Sequence, residues 1–420
     1  MSFKMHLKIT LIALFYVFTN NFLYGQIYNL QKSLQTSKAN NLFLKAEKIN
    51  FEMAMADITT SKLRPNPTLN MQFLQLMNSQ YFADNTNFYQ NKNRQVWWQF
   101  TKIFQLPNQR KYKIEYAEKN NILVKKNYAE TERNLFFEVA NKWLEAWNLE
   151  KQLEIINIAK SNIDTLLKIN ERRLKNQVIT ETEVLRTQLL VLQYEMKQKS
   201  IKQNIDNKIR ELKLSIGTQD SLQIDKNDNF EVVNNAKLDS LLNFAIENRS
   251  DIIALKANLQ ATETNIKLQN ANAIPKPELG FLWNPQNSVP YFGIFATIQL
   301  PIFDRNQGNI NRSKVEKLQV EQVLIATQNK IKIEITNALY AFDFQKNNLE
   351  KFKKLLETSQ IILDNVRYAY LRGGTTIIDF LEAQRSWLET QQQYYEILQQ
   401  VKQTYLQLIF ATGQINLLGE

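Results

Sequence analysis

The stretch Leu371–Gln384 reads LRGGTTIIDFLEAQ and contains two adjacent glycines in a chain that has only nine. Gly373 and Gly374 tolerate the left-handed backbone conformation that ends many helices, so a helix is expected to stop there. Thr376 and Asp379 have the spacing of a capping box, which begins the next helix. The stretch therefore predicts a tight turn over residues 372–376 between two helices.

Long segments without glycine or proline lie on both sides of this turn and elsewhere in the chain. They cover residues 108–216, 218–274, 309–372 and 375–412. Such lengths are typical of coiled-coil or bundle helices. Leu381, Leu388 and Tyr395 recur every seven residues, the period of helices that pack side by side. The helix predicted after Pro107 has roughly 68 residues and would be about 100 Å long, which indicates a rod or tube.

Four short motifs occur twice in the same order, which indicates an internal repeat. The pairs are RPNPTL at 64–69 with IPKPEL at 274–279, QLP at 105–107 with QLP at 299–301, TETEVLRTQ at 180–188 with TIIDFLEAQ at 376–384, and SIGT at 215–218 with ATGQ at 411–414. Each half is expected to contain a helix, two strands, a very long helix, a turn and a long helix.

Between the proline motifs the apolar period changes from helical to two, which predicts β-strands with one apolar face. Four runs show this alternation: Leu69, Met71 and Phe73; Val96, Trp98 and Phe100; Leu279, Phe281 and Trp283; and Phe292, Ile294, Ala296 and Ile298. Strands of about ten residues are long enough to cross a bilayer in a tilted barrel. A sheet that packs on the helices of a soluble protein is the alternative.

Aromatic residues in these strands suit the interface between lipid and water. The candidate girdle residues are Trp97, Trp98, Trp283, Tyr291 and Phe292. Four strands cannot close a barrel, so a membrane barrel requires several chains. Three chains would supply about twelve strands, which is enough to enclose a channel.

The first 25 residues have the pattern of a secretory signal peptide. Lys4 and Lys8 precede a ten-residue apolar run, Ile9–Phe18, which is too short to span a bilayer as a helix. A buried N-terminal helix is the alternative. Cleavage after Gly25 would leave a chain without histidine or cysteine, because His6 is the only histidine and the sequence has no cysteine. Lipid anchoring through a thiol is then not expected.

The composition argues against most catalytic and metal-binding chemistry. A mature chain without histidine or cysteine offers no imidazole base, no thiol nucleophile and no cluster of soft metal ligands. We therefore expect no enzyme activity, no cofactor and no metal site. The net charge of +11 comes from basic residues dispersed among acidic ones, which favours a solvated surface over nucleic-acid binding.

Three longer stretches resemble the TolC family of outer-membrane efflux proteins. They are NRSDIIALKANLQATETNIKLQNANAIPKPELGF at 248–281, YAYLRGGTTIIDFLEAQRSWLETQ at 368–391 and INERRLKNQVITETEVLRTQ at 169–188. Within that family, QLPIFDRNQGNI at 299–310 is most similar to the CzcC-like heavy-metal branch. The counterpart in the first half, FQLPNQRKYKI at 104–114, departs from the usual glycine-rich form.

The resemblance implies a homotrimer in the outer membrane of a Gram-negative bacterium. Long antiparallel helices would form an α-barrel tunnel in the periplasm, and four strands per chain would contribute to a twelve-stranded β-barrel. The implied partners are a periplasmic membrane-fusion adaptor and an inner-membrane pump of the resistance-nodulation-division type. The chain itself would be a passive export conduit for heavy-metal cations. Export of drugs or other small organic compounds, type I secretion, and a periplasmic coiled-coil adaptor or scaffold are the alternatives.

By the same resemblance, the turns between the long helices carry the functional residues. The periplasmic aperture would be formed by Tyr370, Arg372, Asp379 and Glu382. The adaptor-contacting residues would be Lys175, Asn176, Gln177, Val178, Thr180, Glu183, Gly373, Gly374, Thr375 and Thr376. The position of the cation with which some members lock the aperture is occupied here by Thr375, so either Arg372 substitutes for it or the closed state is held differently.

The carboxylates of these turns have two alternative roles. Asp379 and Glu382 are three residues apart and share a helix face, so three chains would form a ring of about six carboxylates that attracts cations. Asp379 and Glu183 can instead cap the helices that follow the turns. The sequence leaves both roles open.

These elements divide the expected fold, mainly α with a small β part, into a signal peptide at 1–25 and two structural repeats. The first repeat, 26–217, comprises a helix, a hairpin at 66–104, a helix at 107–174, a turn at 175–180 and a helix at 180–216. After an equatorial linker at 218–237, the second repeat, 238–420, comprises a helix, a hairpin at 276–300, a helix at 303–371, a turn at 372–376, a helix at 376–412 and a C-terminal tail.

Overall fold

The computed structural model describes residues 26–228, 230, 232, 237–285 and 290–419. The expected signal peptide, part of the expected linker and the loop of the second hairpin lie outside the described residues. Within the described ranges the chain is mainly helical with a small sheet part, so the predicted fold class is confirmed.

The helices and strands follow one another in a regular order. The helices are α1 (Leu30–Asn40), α2 (Leu42–Lys62), α3 (Pro107–Lys175), α4 (Glu181–Ile216), α5 (Leu238–Asn248), α6 (Ser250–Asn272), α7 (Gln307–Leu371) and α8 (Ile377–Thr412). The strands are β1 (Gln26–Tyr28), β2 (Thr68–Gln75), β3 (Arg94–Ile103), β4 (Leu222–Ile224), β5 (Glu278–Asn284) and β6 (Tyr291–Thr297).

The long helices predicted from the glycine-free segments are present. Helices α3 and α7 have 69 and 65 residues, and α4 and α8 have 36 residues each. Helix α7 begins four residues later than position 303, because Asp304 Oδ1 accepts a hydrogen bond of 2.8 Å from the Asn306 N–H and Asn306 has a φ of 59°. This local turn replaces the first helical turn that the sequence predicts. No helix in the described ranges is long and apolar enough to cross a membrane.

The prediction of a single helix at the start of each half is wrong, because the structure contains two helices in each place. Asn41 separates α1 from α2, and its Oδ1 accepts a hydrogen bond of 2.9 Å from the Leu44 N–H. This bond satisfies one of the free N–H groups at the start of α2. Arg249 separates α5 from α6 in the second half.

The two breaks have the same local geometry. Asn41 Nδ2 donates to the Ser215 carbonyl oxygen at 2.8 Å, and the Arg249 guanidinium donates to the Ala411 carbonyl oxygen at 2.8 Å. Each of these carbonyls lies two residues before a left-handed glycine, with φ of 77° at Gly217 and 80° at Gly413. The correspondence supports the internal repeat, and the division of the chain into two repeats stays a prediction.

The main sheet has four antiparallel strands in the order β2-β3-β5-β6. The two predicted hairpins are therefore neighbours, with β3 paired to β5 across the halves of the sequence. A separate two-stranded sheet pairs β1 with β4 in parallel. The sequence contained no motif that predicted this second sheet, because each of its strands has only three residues.

The chain forms two compact units, and each combines segments from both halves of the sequence. Among the described residues, the first unit is formed from the ranges 26–47, 128–250 and 328–419, and the second from the ranges 48–127 and 251–327. The first unit contains a buried cluster around Trp143, which donates from Nε1 to the Tyr28 carbonyl oxygen at 3.0 Å. The second unit contains the four-stranded sheet.

Lys402 on α8 lies among aromatic rings in the first unit. Its Nζ is 4.2 Å from the ring centre of Phe230 and 5.0 Å from that of Trp147, and the residue is 1% exposed. Burial lowers the pKa of Lys402 to about 8, although the negative charge of Asp228 acts in the opposite direction. Cation–π contacts offset part of the cost of burying the charge.

The stability of the first unit is therefore expected to rise with pH through the range from about 8 to 10. The unfolded chain binds a proton at Lys402 that the folded chain releases in this range, so deprotonation favours the folded state. Lys402→Met removes this titration and is expected to flatten the rise. Urea unfolding at pH 7.5 and 9.5, followed by circular dichroism, measures the effect. An unchanged pH dependence in the variant would show that Lys402 is not the responsible group.

Candidate functional site

The four-stranded sheet has one apolar face that is exposed along its whole width. Cross-strand partners point to the same face, so the pairing register defines two rows of side chains. The first row is Leu69, Phe100, Phe281 and Ile294, and the second is Met71, Trp98, Trp283 and Phe292. All eight side chains are exposed, from 36% at Trp98 and Phe100 to 82% at Ile294.

The opposite face of the sheet is more polar. Its rows include Asn70 beside Gln99 and Gln72 beside Trp97. A sheet with one polar and one exposed apolar face matches the alternation expected of strands that separate water from lipid. The exposed apolar area is far more than scattered surface residues would give, which marks an interaction surface.

Three of the five candidate girdle aromatics lie together on the apolar face. Trp98 is directly opposite Trp283, and Trp283 is directly opposite Phe292. Trp97 and Tyr291 lie on the polar face, a position that does not suit contact with lipid. The alternation of the strand already separates Trp97 from Trp98, since neighbouring residues in a strand point to opposite faces.

The turn between α3 and α4 is closed by a Schellman motif. The Val178 N–H donates to the Arg173 carbonyl oxygen and the Gln177 N–H to the Leu174 carbonyl oxygen, both at 2.9 Å. Gln177 has a φ of 56°, a left-handed conformation that the sequence did not predict because the residue is not glycine. The Glu183 carboxylate accepts hydrogen bonds from the Thr180 N–H at 2.7 Å and the Thr180 hydroxyl at 3.2 Å.

The turn between α7 and α8 repeats this arrangement with glycines. Gly373 has a φ of 76°, and the Gly374 N–H donates to the Ala369 carbonyl oxygen at 2.9 Å. Asp379 Oδ2 accepts from the hydroxyls of Thr375 at 2.7 Å and Thr376 at 2.6 Å, and from the Thr376 N–H at 3.1 Å. These bonds hold the pKa of Asp379 below its usual range, so the carboxylate stays ionised.

The candidate adaptor-contacting residues are mostly exposed in these two turns. Exposed side chains and glycines are Lys175, Asn176, Gln177, Val178, Thr180, Gly373, Gly374 and Thr376. Glu183 and Thr375 are half-buried. Eight of the ten candidate positions are therefore accessible at the surface of the two turns.

The four candidate aperture residues are not arranged alike. Arg372, Asp379 and Glu382 are exposed, whereas Tyr370 is only 4% exposed. The Tyr370 hydroxyl donates to Asn170 Oδ1 at 2.8 Å, and its ring stacks on Phe380 with the centres 5.6 Å apart. Burial raises the pKa of Tyr370, so it stays neutral and acts as a hydrogen-bond donor.

Tyr370 belongs to a group of contacts that joins the two turns. The Arg173 guanidinium donates to the Leu371 carbonyl oxygen at 2.7 Å and lies 5.2 Å from the Tyr370 ring centre. The guanidinium of Arg372 lies 4.2 Å from the ring centre of Tyr368, which is a cation–π contact. Asn170 and Arg173 were missed in the sequence, because their partners are about 200 residues away.

The motif QLPIFDRNQGNI has a structural explanation in this chain. Asp304 Oδ1 accepts a hydrogen bond from the Asn306 N–H, and Asn306 Nδ2 donates to the Gln269 carbonyl oxygen at 2.8 Å. Arg305 Nε donates to the Pro301 carbonyl oxygen at 3.0 Å. Among the described residues no group of three or more acidic or histidine side chains is arranged to hold a metal ion.

The chain combines an exposed apolar sheet face with long paired helices. This combination is typical of outer-membrane proteins that have both a strand part and a helical part. The model of the outer membrane efflux protein family matches residues 241–414 of the chain. The chain is 25% identical over 181 residues to the probable outer membrane lipoprotein SilC of Salmonella typhimurium, a match covering 39% of this chain and 38% of SilC. It is 23% identical over 270 residues to the pyoverdine export outer membrane protein OpmQ of Pseudomonas putida, covering 62% and 57%.

The matched segments cover 38% of the length of SilC and 57% of the length of OpmQ, so the chain spans only part of each relative. Solved structures agree in fold over nearly the whole chain. CusC has a TM-score of 0.75 at 18% identity, covering 93% of both chains. The CmeC outer membrane channel of Campylobacter jejuni has a TM-score of 0.71 at 16% identity, covering 92% of this chain and 85% of CmeC.

Proposed function

We propose that the chain is the outer-membrane channel of a three-part efflux system and works as a homotrimer. The observation that carries this proposal is the four-stranded sheet, with its exposed apolar face and two edge strands. Within the described chain β2 pairs only with β3, and β6 only with β5. Joining β6 of one copy to β2 of the next would satisfy both edges, and three copies would give a barrel of about twelve strands.

The exposed turns are the proposed contact with a periplasmic adaptor, and the adaptor connects the channel to an inner-membrane pump of the resistance-nodulation-division type. The backbone of both turns is held by hydrogen bonds, because each combines a Schellman motif with a carboxylate that caps the next helix. Exposed turns whose backbone is already hydrogen-bonded are suited to docking, because less conformational entropy is lost when a partner binds. The chain supplies a passage and is proposed not to be an enzyme.

Heavy-metal cations are the proposed cargo, supported by the similarity of residues 299–310 to the CzcC-like branch. The side chains of that motif are engaged in a turn, so they supply no metal ligands for transit. The described residues contain no histidine or cysteine, which makes tight binding of soft cations unfavourable. Transit would therefore rest on weak electrostatic attraction. Small organic compounds are the second candidate, supported by the likeness to OpmQ, a pyoverdine export protein.

Two measurements test the proposal. The purified protein is expected to be a detergent-dependent trimer that produces discrete conductance steps in planar bilayers. A deletion strain is expected to become more sensitive to metal cations in a panel that also contains drugs and bile salts. A soluble monomer without conductance would refute the channel, and sensitivity to drugs alone would refute the metal cargo.

The carboxylates at the second turn give a prediction about selectivity. Asp379→Asn combined with Glu382→Gln is expected to lower the preference of the channel for cations several-fold, since it removes the proposed ring of negative charge. Single-channel reversal potentials in a salt gradient measure this preference. Glu183→Gln is the matched control, because it removes a capping carboxylate from the other turn. Unchanged selectivity in the double variant would leave Asp379 with a capping role only.

A further inference from the structure

A basic pocket lies in the second unit, where β3 ends and α3 begins. The cavity has a volume of about 460 Å³, and four basic side chains contribute to its lining: Arg64, Lys102, Arg110 and Lys111. Ile103 and Phe104 add apolar surface beside them. Within the described ranges no acidic residue lines the cavity. We refer to this cavity as the basic pocket.

The positive charge of the basic pocket is not neutralised by the described part of the chain. None of its four basic side chains forms an ion pair with a described carboxylate. Lys102 Nζ lies 5.8 Å from the ring centre of Phe104, and Lys111 Nζ lies 5.7 Å from that of Tyr112. Four like charges around one cavity repel one another, and an anion in the cavity would relieve this repulsion.

Two polar side-chain atoms in the lining of the basic pocket lack a hydrogen-bond partner among the described residues. One terminal nitrogen of Arg110 donates to the Lys62 carbonyl oxygen at 3.0 Å, which fixes the guanidinium at the pocket. Arg110 Nε has no hydrogen-bond partner among the residues that the structure describes, and neither has Gln105 Oε1 in the same lining. Buried polar atoms without partners are uncommon in folded proteins, and a ligand that carries both an anionic group and a hydroxyl offers a partner of the right kind to each.

The position of the basic pocket in the sheet indicates what the rest of the ligand is. Lys102 follows Phe100 by two residues in β3, so both side chains lie on the apolar face. Phe104, which follows the strand, is 43% exposed at the same place. A basic side chain at the end of an apolar face is the arrangement by which lysine reaches the phosphate layer at a membrane surface.

We propose that the basic pocket binds the phosphate group of an anionic phospholipid, with one lipid per chain. The phosphate contacts Lys102, Lys111 and Arg110, and the acyl chains extend along the apolar face from Phe104. This inference rests on the proposed function, because it requires that the apolar face contacts lipid. Bound lipid would fix the depth of the sheet in the membrane at the point where strand becomes helix.

Native mass spectrometry of the purified protein in detergent tests the proposal. The probes are dioctanoyl phosphatidylglycerol, dioctanoylglycerol without phosphate, and inorganic phosphate. Lys102→Gln with Lys111→Gln is expected to weaken phosphatidylglycerol binding about 30-fold, from the typical contribution of two basic residues at a membrane surface. The matched control is Lys125→Gln with Lys126→Gln, which removes the same charge from exposed positions of α3 outside the pocket and is expected to change binding about twofold or less.

The outcomes distinguish a lipid site from general attraction to charge and from a site for free phosphate. Equal losses in the two double variants would overturn the proposal, since they would show attraction to overall charge only. Binding of inorganic phosphate as tight as that of the lipid would also overturn it in favour of a site for free phosphate. Conductance of the unmodified protein is measured separately. A conducting protein without selective lipid binding refutes the lipid site alone, and selective binding without conductance refutes the channel alone.

Discussion

Gly217→Ala is expected to destabilise the protein by about 2–4 kcal/mol, because it combines backbone strain with steric overlap. Gly217 has a φ of 77°, and an added Cβ would lie 2.5 Å from the Asn40 carbonyl oxygen and 2.9 Å from the Asn41 nitrogen. Both contacts are with backbone, so no side chain can move aside. The substitution would separate the end of α4 from the break between α1 and α2. The melting temperature of the helical circular dichroism signal measures the loss.

Two other glycines separate backbone strain from steric overlap. Gly373 has a φ of 76° with nothing within 4 Å of an added Cβ, so Gly373→Ala is expected to cost only about 1 kcal/mol. Gly308 lies in α7 with open space around it, so Gly308→Ala is expected to be neutral or to stabilise by up to about 1 kcal/mol. If Gly217→Ala and Gly373→Ala melted alike, close packing against Asn40 would not be the cause.

Ile294→Arg is expected to remove most of the assembled protein from the outer membrane. Ile294 is the fourth of seven residues in β6 and is 82% exposed, so the isolated chain loses few contacts when it is replaced. An arginine facing the middle of a bilayer costs about 2–4 kcal/mol in barrel proteins, and a trimer carries the substitution three times. The amount of heat-modifiable trimer in the outer-membrane fraction measures assembly.

Gln99→Arg is the matched control for this prediction. Gln99 lies next to Phe100, which is in the same row as Ile294, but its side chain points to the polar face. Its replacement by arginine is expected to leave assembly nearly unchanged, because that face would line the water-filled side of a barrel. Equal assembly of the two variants would show that the apolar face does not contact lipid. A loss confined to Gln99→Arg would reverse the assignment of the faces.

The sequence predicted the elements whose signals are local. Glycine- and proline-free segments predicted α3, α4, α7 and α8, and the alternation of apolar residues predicted the four strands of the main sheet. The capping box at Thr376 and the left-handed Gly373 were also predictable, because both depend on residues within one turn of the helix. The same reasoning failed at Gln177, which adopts the left-handed conformation of a Schellman motif although glutamine does not favour it.

Features that depend on distant residues could not be predicted from local pattern. The break at Asn41 is stabilised by the Ser215 carbonyl, and that at Arg249 by the Ala411 carbonyl. The hydrogen bond from the Tyr370 hydroxyl to Asn170, and the burial of the Tyr370 side chain, likewise depend on residues that are distant in the sequence. The basic pocket likewise gathers Arg64 and Lys102 from separate segments. None of these partners is visible in a window of a few residues.

The sequence by itself determined the helices, the four strands and the apolar side of each strand, because periodicity is a property of consecutive residues. Only the tertiary structure decided that β3 pairs with β5, which merges the apolar sides of two hairpins into one exposed face. It also decided which of the turn residues are accessible and where basic charge collects. Strand pairing and side-chain contacts join residues far apart in the chain, and their free energy depends on three-dimensional packing rather than on spacing.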